Sequence, residues 1–453
     1  MKGRSPIAWR AILIRALVLS LVLGLGVACS SSDGDDAADV PEVDTVTDTE
    51  LPDGSADTTP EATPDADVPE AAADVDEDID WASLSTLPPD ATFSTRYAAG
   101  AARRLINPPH SVTMGGFGFC AGAAAACRWT EGVHDDIFAT TTAVADTETG
   151  EVVIFCGIDS AGIIKPDVDV MHARVQRAIY DTYGTYFQGQ RLLLSPSHAH
   201  STPDMTGIWG PLEQPRDPEY LELMESAIVA AAVEAYGALQ DAQLDWGQGS
   251  APNYDDDPFA QDETVWVLRA RTPAGDPIFT LTRWSAHPTG YGSDNNAVSA
   301  DYMGPFRVRV EAETGGLAAY LNGPIGSVYA TKLHPCGEGD LFPEGFQDPG
   351  AESQHETVSC VGVNLANQVI LALDDMTPLA ETGLRFRHSL YEFHPTNLAF
   401  MALAKIGALP IEVVDVKDPE AMMISQFSWV TLGELNYLTT PGEAFPHFAQ
   451  VVS

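Results

Sequence analysis

Two histidines spaced by one residue, His198 and His200, stand in "LLLSPSHAHSTPDMTG", just past an apolar run. On extended backbone the side chains alternate with period two, so a His-x-His pair points both imidazoles to one face. Neutral imidazole is the commonest metal ligand. Alone, two histidines beside serine and proline equally suit the capping of a loop. Two more residues of suitable type lie far along the chain: His287 in "WSAHPTG" and Glu443 in "TTPGEAF". Taken singly, His287 reads as a packed turn residue and Glu443 as a carboxylate at a helix N-terminus. Taken together, His198, His287 and Glu443 form the three-ligand set that a catalytic zinc takes from histidines and carboxylates, with one position left for water. That arrangement serves amide or ester hydrolysis, because it activates water and polarises a carbonyl.

The elements that must position these residues emerge from period and punctuation. "GEVVIFCGIDS" reads as a turn and a buried strand with Asp159 at its end, "PDVDVMHARVQRAIYDTYG" as a helix closed by Gly184, and "QRLLLSPSHAHS" as the next strand. This is a β-α-β unit, which predicts a parallel pair with functional loops at the carboxyl ends of its strands. A second helix falls on "PEYLELMESAIVAAAVEAYGAL". "ETVWVLRART" and "PIFTLTRWSAHPTG" form a hairpin whose second strand delivers His287. "LAAYLNGPIGSVYAT" is a strand running into a glycine-rich loop, and "SWVTLGELNYLTTPGEAF" ends in the turn presenting Glu443. The three candidate ligands thus sit at three strand ends of an α/β fold: a mixed sheet flanked by helices.

The chain's beginning, "MKGRSPIAWRAILIRALVLSLVLGLGVACSSSDGDD", has a basic start, a short apolar run and small residues before Cys29. It resembles a bacterial lipoprotein signal covering residues 1–29, with Cys29 lipidated and Gly26 where such signals usually carry leucine. The expected location is therefore the cell surface or outer membrane, with the membrane reached through a lipid anchor. Residues 30–92 are rich in Asp, Glu, Ala, Thr and Pro, with no Lys or Arg, and cannot bury enough surface to order themselves. A disordered acidic tether is expected there, followed by one folded domain over 93–453. The tether holds 20 of the 65 acidic residues; without it the charge of -42 becomes about -22, and without the four basic residues of the leader about -26. Nucleic acid is excluded as a partner on that charge. The remaining cysteines suit an exported chain: Cys120 with Cys127 in a small loop, Cys336 with Cys360 across a larger one, and Cys156 as a free core thiol.

From about residue 105 onward, the ordered set "VTMGGFG", "GVHDDIFATTTAV", "VVIFCGIDS", "SHAHSTP", "WSAHPTG", "NGPIGSVYA" and "TTPGE" resembles the catalytic domain of the neutral (alkaline, non-lysosomal) ceramidases. The resemblance implies one zinc per chain, held by His198, His287 and Glu443, with His200 beside the zinc site helping in proton transfer or oxyanion stabilisation. It also implies hydrolysis of the amide bond of an N-acylated lipid or another amide substrate.

Three departures from that pattern are visible. Where the family carries a serine that contacts the scissile amide, this chain has Tyr329, which either donates a hydrogen bond from its phenol or closes the pocket; Ser327 reaches the same side if the backbone there is extended. Where the family has a substrate-contacting arginine, the counterpart in "APNYDDDP" is Tyr254. The family's tyrosine ligand and C-terminal immunoglobulin-like domain find no counterpart after Glu443. The competing expectation is a catalytically inactive, surface-tethered binding protein that keeps the fold. A two-metal hydrolase is a weaker reading, with Asp204 the only carboxylate near the pair.

Overall fold

The computed structural model describes residues 79–448 except 90, 119, 121–123, 212, 256–260, 331–352, 406–410, 412 and 415–421. Cys29, Cys336 and most of the acidic segment lie outside the described residues. In chain order the strands are β1 (Tyr97–Leu105), β2 (Phe138–Asp146), β3 (Val152–Ile158), β4 (Leu192–Pro196), β5 (Gln240–Ser250), β6 (Tyr254–Asp255), β7 (Thr264–Arg271), β8 (Pro277–Trp284), β9 (Leu317–Asn322), β10 (Val328–Tyr329), β11 (Thr377–Pro378), β12 (Leu384–Phe393), β13 (Val413–Val414), β14 (Met422–Leu432) and β15 (Leu435–Thr439). The helices are α1 (Lys165–Tyr183), α2 (Pro218–Gly237), α3 (Met303–Thr314), α4 (Ser353–Ala372) and α5 (Leu398–Lys405).

Among the described residues nine strands form one mixed sheet, ordered β4-β3-β2-β1-β5-β7-β8-β9, with β11 paired to β5. Its two parallel pairs are β3/β4 and β8/β9, joined through α1 and α3. The expected strand-helix-strand unit is therefore present, and α1 ends as read, with Gly184 in the left-handed conformation at φ 66°. Helix α2 starts at Asp217, whose carboxylate accepts from Tyr220 N at 2.9 Å. The β7/β8 hairpin is also as expected.

Alternation along the strands builds two cores. Val152, Ile154, Cys156 and Ile158 face helical residues such as Met171, Val175 and Ile228, while Val153 and Phe155 face the opposite side, where Leu384, Val430 and Leu432 of a second sheet (β12 to β15) cover them. Helices α1 to α4 thus lie on one face and a small antiparallel sheet on the other, with α5 packed on Met423 of that second sheet. Cys156 is buried and free, as expected, and burial pushes its thiol pKa up.

Packed chain begins before residue 93, which corrects the expected tether boundary. Trp81 meets Tyr180 edge-on at 5.2 Å and Tyr186 at 5.6 Å, and Tyr186 N donates to Ser85 O at 2.8 Å. Trp81 is the first aromatic residue after a polar run, and its packing offsets the ordering of its neighbours.

Candidate metal centre

Strand β4 stops at Pro196, and His198 has φ 64°. The pair is therefore not on extended backbone, which corrects the expected period-two alternation. The left-handed turn carries His198 N to Ser160 O at 2.9 Å and lets His198 Nδ1 donate to Ala161 O, both acceptors lying just past the end of β3. The two imidazoles converge nonetheless, with ring centroids 4.9 Å apart and planes at 81°. A left-handed non-glycine residue costs about 1–3 kcal/mol. Of the three described ones, His198 and Ser327 both lie here.

His287 lies just past β8 and is 6% exposed, so nearly all of its hydrogen bonding must come from the protein. Its backbone N and its Nδ1 both donate to Val328 O, at 2.8 and 3.0 Å. Glu443 does not cap a helix; its carboxylate reaches both histidines, with Oε1 3.1 Å from His198 Nε2 and Oε2 2.9 Å from His287 Nε2. The turn that presents it rests on the glycine-rich loop, where Gly326 N donates to Ala444 O at 2.9 Å. Contact with His198 first and then with His287 holds the Glu443 carboxyl well below the usual carboxylate range.

Proton accounting shows what this cluster requires. A carbonyl only accepts, so Nδ1 of His198 and of His287 must each carry a proton. In neutral imidazoles both Nε2 atoms then present lone pairs to a carboxylate, and acceptors facing acceptors need cations between them. Either the rings are protonated or a metal ion sits there. Two ligands on a tetrahedral zinc, each at 2.0–2.2 Å, stand roughly 3.3 Å apart, close to the two separations found. Carbonyl-anchored Nδ1 atoms are also the usual support of ligating histidines. The donor set fits zinc.

His200 is arranged differently. Its imidazole atoms lie within the same cluster, with the ligand nitrogens of His198, His200 and His287 all within 4.8 Å of one another, yet among the described residues neither of its ring nitrogens has a hydrogen-bond partner, and both are shielded from solvent. Burial first, and the nearby His198 and His287 second, push its pKa down to about 3. The ring is held by contact: Phe117 meets it edge-on at 4.6 Å, and a Cβ on Gly116, at φ 99°, would stand 2.3 Å from its Cγ. Only glycine fits there.

The remaining candidate residues take varied positions. Tyr329 stacks on the His287 ring at 5.3 Å and 28°, and its backbone bridges that of His287. Ser327 has φ 63°, so the extended backbone expected for it is absent. Tyr254 pairs with Tyr329 across β6 and β10, bringing the two substituted family positions side by side on the backbone. Asp204 is spent on its own loop, accepting from Thr206 N, Gly207 N and Trp209 N, so it provides no second-metal ligand. Cys120 and Cys127 are bonded as expected; Cys360 is disulfide-bonded, and its expected partner Cys336 is outside the described residues. Gly116, Phe117 and Arg128 join the site without having been expected there. The glycines of "VTMGGFG" are the signal in the sequence that points to them, since a backbone pressed against another group needs glycine.

No protein-family model and no curated protein matches the chain. Among solved structures it is similar to neutral ceramidase from Pseudomonas aeruginosa, with a TM-score of 0.59 and 15% identity over 79% of this chain and 64% of that one. It is equally similar to a ceramidase complexed with C2, with a TM-score of 0.60 and 16% identity over 79% of this chain and 65% of that one. The chain thus spans just under two thirds of the length of these proteins. The fold of this chain is ceramidase-like.

Proposed function

We propose that the chain is a zinc-dependent hydrolase that cleaves the amide bond of an N-acylated substrate, an N-acyl lipid among them, giving a carboxylate and an amine. The observation that carries this reading is the convergence of His198, His287 and Glu443 on one point beside His200, whose ring has no hydrogen-bond partner among the described residues. Nε2 of each of the two histidines and the Glu443 carboxylate would hold the ion. Bound zinc supplies Lewis-acid polarisation of a carbonyl and activation of water at neutral pH. His200, neutral at pH 7, has both ring nitrogens available; it accepts the proton of the attacking water and returns it to the departing amine. Tyr329 is stacked on His287 beside the three donors. Its phenol is a candidate hydrogen-bond donor to the developing oxyanion.

The ceramidase-like fold supports an acyl-amide substrate, while Tyr329 and Tyr254 at the serine and arginine positions leave room for an amine part other than sphingosine. We further propose export and tethering through a lipidated Cys29, which would place the site near membrane-borne substrates. The test is metal content and turnover in parallel. Wild type should hold one zinc per chain and release fatty acid from a panel of N-acyl amides, and His198→Ala and His287→Ala should lose both. A folded, zinc-free wild type would sink the reading, as would hydrolysis that survives in both variants.

A further inference from the structure

We infer that Arg128 is a positioning residue for His200, acting through a clamp that joins three loops of the site. Its Nη1 donates to Gly115 O at 3.2 Å and to His200 O at 3.3 Å, and its Nη2 donates to Asn295 O at 2.5 Å. These carbonyls belong to the glycine loop, the His-x-His loop and the loop beyond His287. The guanidinium also lies over the Phe117 ring, with Cζ 5.2 Å from its centroid, and Phe117 is the ring that meets His200 edge-on. Among the described residues no carboxylate hydrogen-bonds this cation, and its Nε is buried without a partner. A half-buried guanidinium bonded to three carbonyl oxygens and to Met114 Sδ at 3.9 Å, with the Asp294 charge nearby but not hydrogen-bonded to it, is costly to keep, so it must hold something in place.

The group it holds is His200. His198 and His287 are each oriented by an Nδ1 donation to a carbonyl, whereas among the described residues His200 has no ring hydrogen-bond partner. Its orientation rests on Gly116, on Phe117 and on its own backbone, and Arg128 touches the last two directly and the loop of the first. Lysine cannot substitute, because an ammonium is a point charge that neither spans the three carbonyls nor lies flat on the ring. The disulfide between Cys120 and Cys127 closes the loop directly before Arg128 and limits its freedom.

The kinetic arm of the test rests on the hydrolase reading as a whole, and the chemical arm on its zinc site alone. Zinc-loaded full chain and its Arg128→Lys and Phe117→Leu variants are treated with diethyl pyrocarbonate, and the modification rate of each histidine is monitored by peptide mass spectrometry. Both variants should modify His200 several-fold faster than wild type, while buried His172 keeps its rate and zinc stays at one per chain. On a fluorogenic N-acyl amide the same variants should lose kcat by about 10²-fold with KM little changed, as expected when a catalytic group is misplaced by about 1 Å. An unchanged His200 rate in Arg128→Lys overturns the inference whatever the kinetics show. Equal acceleration at His172 also overturns it, because that would report general loosening. A wild type without turnover on the amide would count against the hydrolase reading and leave the chemical arm to decide the role of Arg128.

Discussion

At the residue scale, the four polar side chains of the centre divide by how they are anchored. His198 and His287 have one nitrogen committed to a backbone carbonyl and the other aimed at Glu443; His200 has neither nitrogen committed. Anchoring is the mark of a ligand and its absence the mark of a group that must exchange partners during a reaction. Replacing Glu443 by Gln puts an amide, uncharged on one side and a donor on the other, against two Nε2 lone pairs. Zinc affinity in Glu443→Gln should fall by more than the roughly 10–100-fold typical of losing an outer partner, measured by competition with a chromophoric chelator. His200→Gln should behave oppositely, keeping its zinc while hydrolysis falls about 10²–10⁴-fold, the range for losing a general acid-base group. Zinc lost from His200→Gln would make that residue a ligand instead.

At the element scale, the centre is assembled by the loops and turns beyond the strand ends rather than by the strands. The turn carrying Glu443 rests on Gly326, where a Cβ would stand 2.8 Å from Glu443 O and 3.1 Å from Ala444 O, both backbone atoms that cannot swing aside. Gly326→Ala should therefore displace the carboxylate and weaken zinc binding without unfolding the chain, a result that calorimetric titration and circular dichroism together would show; undiminished affinity would refute the contact. The loop between β8 and α3 carries another consequence. Asp301, buried at φ 56° and accepting from Gly290 N and Tyr302 N, has its pKa raised from 3.8 to about 7 by burial. A carboxyl with a raised folded pKa binds more protons folded than unfolded, so its contribution is fully present below about pH 4 and is lost as pH rises to about 7. The slope approaches one proton, about 1.4 kcal/mol per pH unit, and denaturant titrations should show it in wild type and not in Asp301→Asn. Legibility also divides at this scale. β3, α1, β4 and the β7/β8 hairpin were readable because apolar period and glycine punctuation agree in them. β5, "QDAQLDWGQGS", was not, because it is polar in sequence although it pairs β1 with β7 inside the sheet. α3 opens on Met-Gly-Pro, which reads as a turn. The candidate ligands were readable from residue type at predicted strand ends, but the backbone reversal at His198 was not, since nothing local demands a positive φ there.

At the scale of the whole molecule, a nine-stranded sheet with helices on one face and a second sheet on the other brings together donors far apart in sequence. His287 and Glu443 are separated by 156 residues, and the segment between them includes α3, β9, α4 and the second sheet. An ion binding both, and His198 besides, is linked to the folding of nearly everything between. Because the unfolded chain offers no such preformed set, zinc at 100 times its Kd should stabilise the fold by about 2.7 kcal/mol. For a unit of this size that is a rise of a few degrees in Tm over chelator-treated protein, read by differential scanning calorimetry. His198→Ala should melt at the same temperature with and without zinc. The comparison separates specific binding from adventitious binding to the acidic surface, which keeps about 26 net negative charges over residues 93–453 and attracts any divalent cation. Calcium therefore serves as the control. If calcium raises Tm as much as zinc, or if His198→Ala still responds to zinc, surface charge rather than the three-donor centre is binding the ion.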